Sequence, residues 1–204
     1  VQGQDPIILR RDQAYLGVLI DDLVTKGTIE PYRMFTSRAE YRLVLRQDNA
    51  DLRLSDLGFK VGLLPERNYR RFEQKRQAIT AELDRLRQVR DGGITLEQIL
   101  RRPEVTYADL PQRDPSLSPE VIQQVEIAIK YEGYIERQEV EIAKFKNLEE
   151  KQIPAWLDYQ TIPNLRPEAR QKLLKIRPAT LGQASRISGV SPSDISIIMI
   201  WMKR

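Results

Sequence analysis

The sequence predicts an all-α fold: a helical bundle built around one long central helix, with a small C-terminal subdomain of three short helices in helix-turn-helix-like arrangement. Three observations carry this. Apolar residues recur at helical spacing in almost every segment. Helix-start signals are explicit at Ser118-Pro119 and Ser191-Pro192, where a capping serine precedes proline at the first helical position. No segment alternates with period two for long enough to make a strand. With 204 residues, 41% hydrophobic and 30% charged, the chain is long enough to bury a sizeable core in one or two domains.

Taken in order, Leu16, Leu19, Ile20, Leu23 and Val24 form a helical stripe after Asp12, and Gly27 is placed to end that helix. Glu30-Pro31-Tyr32 interrupts it. Ser37-Arg38-Ala39-Glu40 has capping-box form and predicts a new helix from Ser37. The run Tyr41 to Arg46 is ambiguous, because Tyr41, Leu43 and Leu45 alternate with Arg42, Val44 and Arg46. Asn49 caps a short helix through Leu57. Pro65 opens a charged rod to about Val89 with Tyr69, Phe72, Ile79, Leu83 and Leu86 along one side, and Gly92-Gly93 stops it. Short helices follow at Thr95 to Leu100 and Tyr107 to Leu110. From Ser118 to about Lys151 only Gly133 interrupts the pattern, so this is the long central helix, about 50 Å at 1.5 Å per residue. The closing helices run Pro167 to Lys175, Leu181 to Ser188 and Pro192 to about Lys203. A boundary at Ile153-Pro154 divides a helical domain, 1–153, from a terminal bundle, 154–204.

Composition narrows the chemistry. There is no cysteine and no histidine, so disulfides, a thiolate nucleophile, a Cys/His zinc site and an imidazole base are all excluded within these residues. No apolar run reaches the 18–20 residues of a membrane span, and no signal-peptide pattern opens the sequence. The net charge of +4 hides a pattern. Residues 33–90 carry 14 basic and 8 acidic side chains, residues 91–165 carry 8 and 14, and residues 166–204 carry 8 and 2. Two basic stretches flank an acidic middle, a distribution that attracts polyanions or belongs to a solvated, arginine-rich helical surface.

Three constellations stand out. In Pro31 to Leu54, a helix from Ser37 places Arg38, Arg42 and Arg46 at i, i+4 and i+8 on one face, with Arg33 and Arg53 beside it. Guanidinium forks suit phosphate, and Tyr32, Phe35 and Tyr41 offer stacking surface. The alternative is an intrachain network with Glu40, Asp48 and Asp51. Gly133, inside a long helix, reads as close approach of another backbone or as simple tolerance, with close packing favoured over a ligand contact. The run Thr180 to Ile195 has helix-turn-helix outline, but its second helix is apolar and begins with Asp194, which suits packing or a partner better than base readout.

The run Ala14 to Thr28, followed by Glu30 to Leu43 and Arg46 to Leu54, closely resembles the family of tRNA uridine 5-carboxymethylaminomethyl modification enzymes, MnmG/GidA. Tyr131 to Gln138, Ile153-Pro154, Asp158-Tyr159 and Arg177 to Val190 also resemble that family. The resemblance covers the whole chain and corresponds to the family's C-terminal part, the first 30 or so residues adjoining the flavin domain. None of the ten glycines stands in the G-x-G-x-x-G spacing of a dinucleotide fold.

The resemblance implies that the whole cytoplasmic enzyme, a homodimer, uses FAD, NAD(P)H as reductant, a folate-borne one-carbon unit and the GTPase MnmE to modify the wobble uridine of certain tRNAs. This region is then expected to hold no cofactor or metal, to bind tRNA and MnmE, and not to be catalytic by itself. Arg33, Arg38, Arg42, Arg46 and Arg53 are expected to form one tRNA-facing or cofactor-adjacent basic surface, and Arg170, Lys172, Arg177 and Arg186 a second tRNA-binding group on the terminal bundle. Ile195, Ile198, Met199 and Trp201 are either the MnmE interface or the core of the last bundle. Arg166 stands where a small capping side chain is expected before Pro167. A free-standing nucleic-acid-binding protein and a structural adaptor are the alternative classes.

Overall fold

A computed structural model describes residues 3, 6–25, 27, 31–149 and 151–202. Helix α1 spans Tyr15–Thr25, α2 Ala50–Lys60, α3 Glu66–Gln88, α4 Leu96–Leu100, α5 Pro119–Lys130, α6 Glu132–Glu149, α7 Pro167–Ile176, α8 Leu181–Arg186 and α9 Pro192–Trp201. Strands β1 (Arg90–Asp91) and β2 (Ile94–Thr95) pair antiparallel around Gly92-Gly93, whose φ values of 56° and 86° suit glycine and few other residues. The chain divides into two compact units, residues 43–138 and residues 1–42 with 139–204. The boundary expected at 153–154 falls inside the second unit, where residues 154–204 supply a core cluster of their own.

In unit 43–138 the core is local. Ile79 and Leu86 of α3 meet Leu96 and Leu100 of α4, Tyr107, Leu110, and Val121, Val125 and Ile129 of α5. Thr95 starts α4 with a reciprocal capping box, its hydroxyl accepting from the Gln98 N–H while Gln98 Oε1 accepts from the Thr95 N–H, both at 3.2 Å. A buried polar knot fastens α3. The Tyr107 hydroxyl donates to Glu82 at 2.7 Å, and Arg85 binds the same carboxylate at 2.7 Å. Glu82 is 4% exposed, so without these partners it would be a costly buried charge.

The long central helix is two helices. Tyr131 leaves helical geometry (φ −106°, ψ 7°) after α5, and its carbonyl then accepts from the N–H groups of Tyr134 and Ile135 to restart the chain as α6. The helical period alone does not show this interruption, because apolar residues continue across it. The close packing expected at Gly133 is also absent: a Cβ there would meet nothing within 4 Å.

In the other unit, Leu165, Ala169, Leu173, Leu181, Ala184, Ile187, Ile195 and Ile198 of the α7–α9 region form the cluster together with Leu157, Tyr159 and Ile162. The Ile153 N–H donates to the Ala179 carbonyl at 2.8 Å and the Leu181 N–H to Lys151 at 3.0 Å, tying the entry segment to the start of α8. Arg166 provides no cap to α7; it grips Asp194 of α9 at 2.6 Å and the Gly189 carbonyl at 2.8 Å.

Helix α1 faces the opposite way from its hydrophobic stripe. Gly17, Val18, Asp22 and Thr25 are buried, whereas Leu16, Ile20, Leu23 and Val24 are 39–62% exposed. Ile7 and Ile8, which precede the helix, are exposed as well.

The helix expected from Ser37 through Arg46 does not form. A single 3-10 turn, Thr36–Arg38, gives way at Ala39 to extended backbone (φ −89°, ψ 125°). Ala39, Tyr41 and Leu45 go to the interior while Glu40 turns to Arg11. Irregular backbone needs partners for its polar groups, and side chains supply them. The Leu43 and Val44 N–H groups donate to Gln138 Oε1, Asn49 Nδ2 donates to the Val44 carbonyl, and Arg46 and Arg53 donate to the Leu43 and Arg46 carbonyls.

Candidate nucleic-acid interface

Loss of that helix removes the single arginine face, and each cation has its own situation. Arg46 is half-buried: Nε binds Asp48 at 3.1 Å, Nη1 donates to the Leu43 carbonyl at 2.6 Å, and Nη2 reaches Gln124 at 3.2 Å. Gln124 Nε2 closes the ring on Asp48 at 2.6 Å. Burial would raise the Asp48 pKa, but its bonds to Gln124 and Arg46 prevail and hold it below the ordinary carboxylate value. Arg53 is occupied by Asn49 Oδ1 and the Arg46 carbonyl. Arg38 lies 4.4 Å over the Tyr32 ring, donates to the Arg33 carbonyl and stands 3.8 Å from Asp22.

Two arginines form an ionic cluster. Arg11, 7% exposed, binds Asp22 at 2.8 Å, Asp21 at 3.0 Å and Glu40 at 2.7 Å, and donates to the carbonyls of Val18 and Arg38. Arg186 binds the same Asp21 at 2.7 Å and pairs with Glu149. For both guanidiniums burial acts to lower the pKa, yet the carboxylate partners outweigh it and raise the value. Gly182 belongs to this arrangement, since a side chain there would collide with the Glu149 carboxylate. Sequence reasoning missed Arg11, Asp21, Asp22, Glu40 and Glu149 as a group. The available signal was Asp21-Asp22 inside an otherwise apolar helix.

What remains free is smaller and more definite. Arg33 is exposed, with its guanidinium 5.1 Å over the exposed Phe35 ring. Arg42 is exposed and has neither hydrogen bond nor ion pair among the described residues, and the same holds for the Lys172 and Arg177 side chains. All four belong to the unit of residues 1–42 and 139–204. Arg170, grouped with them by sequence, instead donates to the Ile162 and Leu165 carbonyls at 3.0 and 3.3 Å. Ile195 (6% exposed) and Ile198 (0%) lie in the bundle core with Met199 and Trp201 packed against it, and α9 shows Ile200 to solvent.

The same unit contains a cavity of about 340 Å³ lined by Tyr41, Ile142 and Phe145 and by members of the Arg11 and Arg186 clusters. Among the described residues no group of three or more carboxylates is placed to hold a metal ion, and no helix is long and apolar enough to cross a membrane. A flavin pyrophosphate is held by a glycine-rich turn between strand and helix. Among the described residues, the strand–helix step from β2 to α4 contains no such turn.

Comparison with known proteins agrees across the chain. Residues 66–139 match the tRNA modifying enzyme MnmG/GidA C-terminal helical domain, and residues 141–204 match the MnmG/GidA C-terminal helical bundle. The tRNA uridine 5-carboxymethylaminomethyl modification enzyme MnmG of Caldicellulosiruptor saccharolyticus is 51% identical over all of this chain and 36% of its own length. That of Geobacter sulfurreducens is 52% identical with the same coverage. Among solved structures, Aquifex aeolicus GidA in its form II crystal superposes with a TM-score of 0.82 at 42% identity, over 99% of this chain and 35% of that one. The chain thus spans about a third of the length of the relatives it matches, at 36%. On these matches and its helical fold, the chain belongs to the MnmG/GidA family, as its C-terminal helical region.

Proposed function

We propose that this region helps hold tRNA for the family's uridine modification, with the unit of residues 1–42 and 139–204 carrying the contact. One observation carries the reading: Arg33, Arg42, Lys172 and Arg177 are exposed, lack ion pairs among the described residues and share that unit. Unpaired cations on one body are what a phosphate backbone requires, and Phe35 adds a ring beside Arg33. In this reading the region is not catalytic alone. Flavin, NAD(P)H and folate chemistry take place in the part of the cytoplasmic, homodimeric enzyme that precedes it. The exposed apolar face of α1 supports the expectation that the first residues adjoin that part. Engagement of the GTPase MnmE completes the proposal.

The test is titration of the chain with bulk tRNA and with duplex DNA of matched length at two salt concentrations. Expected is salt-sensitive binding that favours tRNA. Arg33→Ala with Arg42→Ala, or Lys172→Ala with Arg177→Ala, should weaken it and reduce the slope of log K against log salt by about 1 per residue removed. Arg186→Ala should instead lower stability by about 3 kcal/mol, because it leaves the partly buried Glu149 unpaired and removes one of the two arginines that hold Asp21. Absence of tRNA binding, or binding that the four exposed cations do not affect, would refute the reading and leave the adaptor class.

A further inference from the structure

The cavity in the unit of residues 1–42 and 139–204 has features that the phosphate-binding reading does not use. Part of its lining is apolar and partly aromatic: Tyr41, Ile142 and Phe145. Phe145 is 46% exposed, while Ile142, three residues earlier on α6, is 8% exposed and fixed in the interior. Tyr41 is 8% exposed as a residue, but its hydroxyl, which has no hydrogen-bond partner among the described residues, is reached by solvent rather than buried.

The charges acting on that hydroxyl come from Glu40, Asp12, Glu149 and Arg186, all of which line the cavity. Tyr41 lines the same cavity. Burial, followed by the nearby Glu40, Asp12 and Glu149, pushes its pKa up to about 12, so at neutral pH it remains a donor.

Most of the ionic groups in the lining are already committed. Glu40 is held by Arg11, Glu149 by Arg186 and Asp12 by Arg10. They offer no net cation to a polyanion. Only Lys146 and Glu141, both exposed on α6, line the cavity without an ion pair among the described residues. A ligand matching this lining has a flat ring for Phe145, a hydrogen-bond acceptor for Tyr41 and a single negative charge placed at Lys146 and away from the unpaired Glu141 carboxylate. The volume of about 340 Å³ is at the small end of ligand cavities, enough for one such ring and its substituent.

We infer that this cavity is a nucleotide slot, which takes one unstacked nucleotide of RNA with its base on Phe145, a base carbonyl on the Tyr41 hydroxyl and the adjoining phosphate at Lys146. The inference rests on the tRNA-holding reading and names a base-recognising contact within it. Base stacking on an aromatic side chain is sequence-tolerant, and the hydroxyl adds a preference for bases that present a carbonyl edge.

The test uses this chain with a short single-stranded RNA, its abasic counterpart and free uridine monophosphate. The readouts are affinity and NMR shifts of the tyrosine and phenylalanine rings. Expected is a 5- to 100-fold loss of RNA affinity in Phe145→Ala with the salt slope unchanged. A smaller loss in Tyr41→Phe, a shallower salt slope in Lys146→Ala, and weaker binding of the abasic strand should accompany it. Uridine monophosphate should shift the Phe145 and Tyr41 resonances at high concentration. If free mononucleotide binds as tightly as the strand, the slot belongs to a small molecule and the RNA assignment is overturned. If RNA binds and Phe145→Ala and the abasic strand change nothing, the slot is overturned while the phosphate-binding reading stands. If no RNA binds, both fall together.

Discussion

At the scale of single residues, arginines here fall into those that build the protein and those left over. Arg11, Arg46, Arg53, Arg166, Arg170 and Arg186 direct their donors to carboxylates and backbone carbonyls, often both at once. Five fixed donors make arginine suited to this, because one side chain can satisfy several acceptors of an irregular segment. Asp194 shows how strongly such a partner acts. It is 1% exposed, and Arg166 with the Ser191 cap holds its pKa well below the ordinary carboxylate value. A depressed folded-state pKa contributes stability above the unfolded value of about 3.9 and loses it as pH falls further. Denaturation midpoints should therefore be steady from pH 7 to 5 and fall below pH 4. Asp194→Asn should begin lower and lose less over the acid range. A variant with an acid dependence equal to that of the parent would contradict this account.

At the scale of elements, local signals and tertiary contacts divided the outcome. The starts of α4, α5, α8 and α9 were legible because Thr95, Ser118, Thr180 and Ser191 make their capping bonds within three residues. The segment 37–46 was not legible, because its partners Arg11 and Gln138 lie far away in sequence, at separations of 27–29 and 94–95 residues. The orientation of α1 was hidden for a related reason: the stripe Leu16–Val24 marks an apolar face, and nothing local shows that a buried arginine claims the opposite one. The candidate cations were visible as a pattern in sequence, but which were already occupied was not. Two helical glycines make this division measurable. A Cβ at Gly17 would strike the backbone of Leu9 and Arg10, whereas one at Gly133 meets open space. Gly17→Ala should destabilise by about 1–3 kcal/mol despite better helix propensity. Gly133→Ala should stabilise by about 0.5–1 kcal/mol. Thermal melts of the two variants check both signs together.

At the scale of the whole molecule, the two units differ in how their chain is drawn. Residues 43–138 are contiguous, and the core cluster of that unit lies between Ile79 and Ile129. Excised as 43–138, this segment should give a helical circular dichroism spectrum and a cooperative melt; a non-cooperative, featureless unfolding would show that its core is insufficient. The other unit is assembled from both ends of the chain, and Arg186 reaches Asp21 across 165 residues. That separation has a consequence in time. On a ribosome adding 5–20 residues per second, Asp21 is made roughly 8–33 s before its partner. For that interval Arg11 is the only one of its two arginines in existence, and α1 waits half-fastened while 43–138 has all its own residues to fold with. Nascent chains stalled before Arg186 would therefore carry one finished body and one open helix, a state in which a chaperone has something to hold.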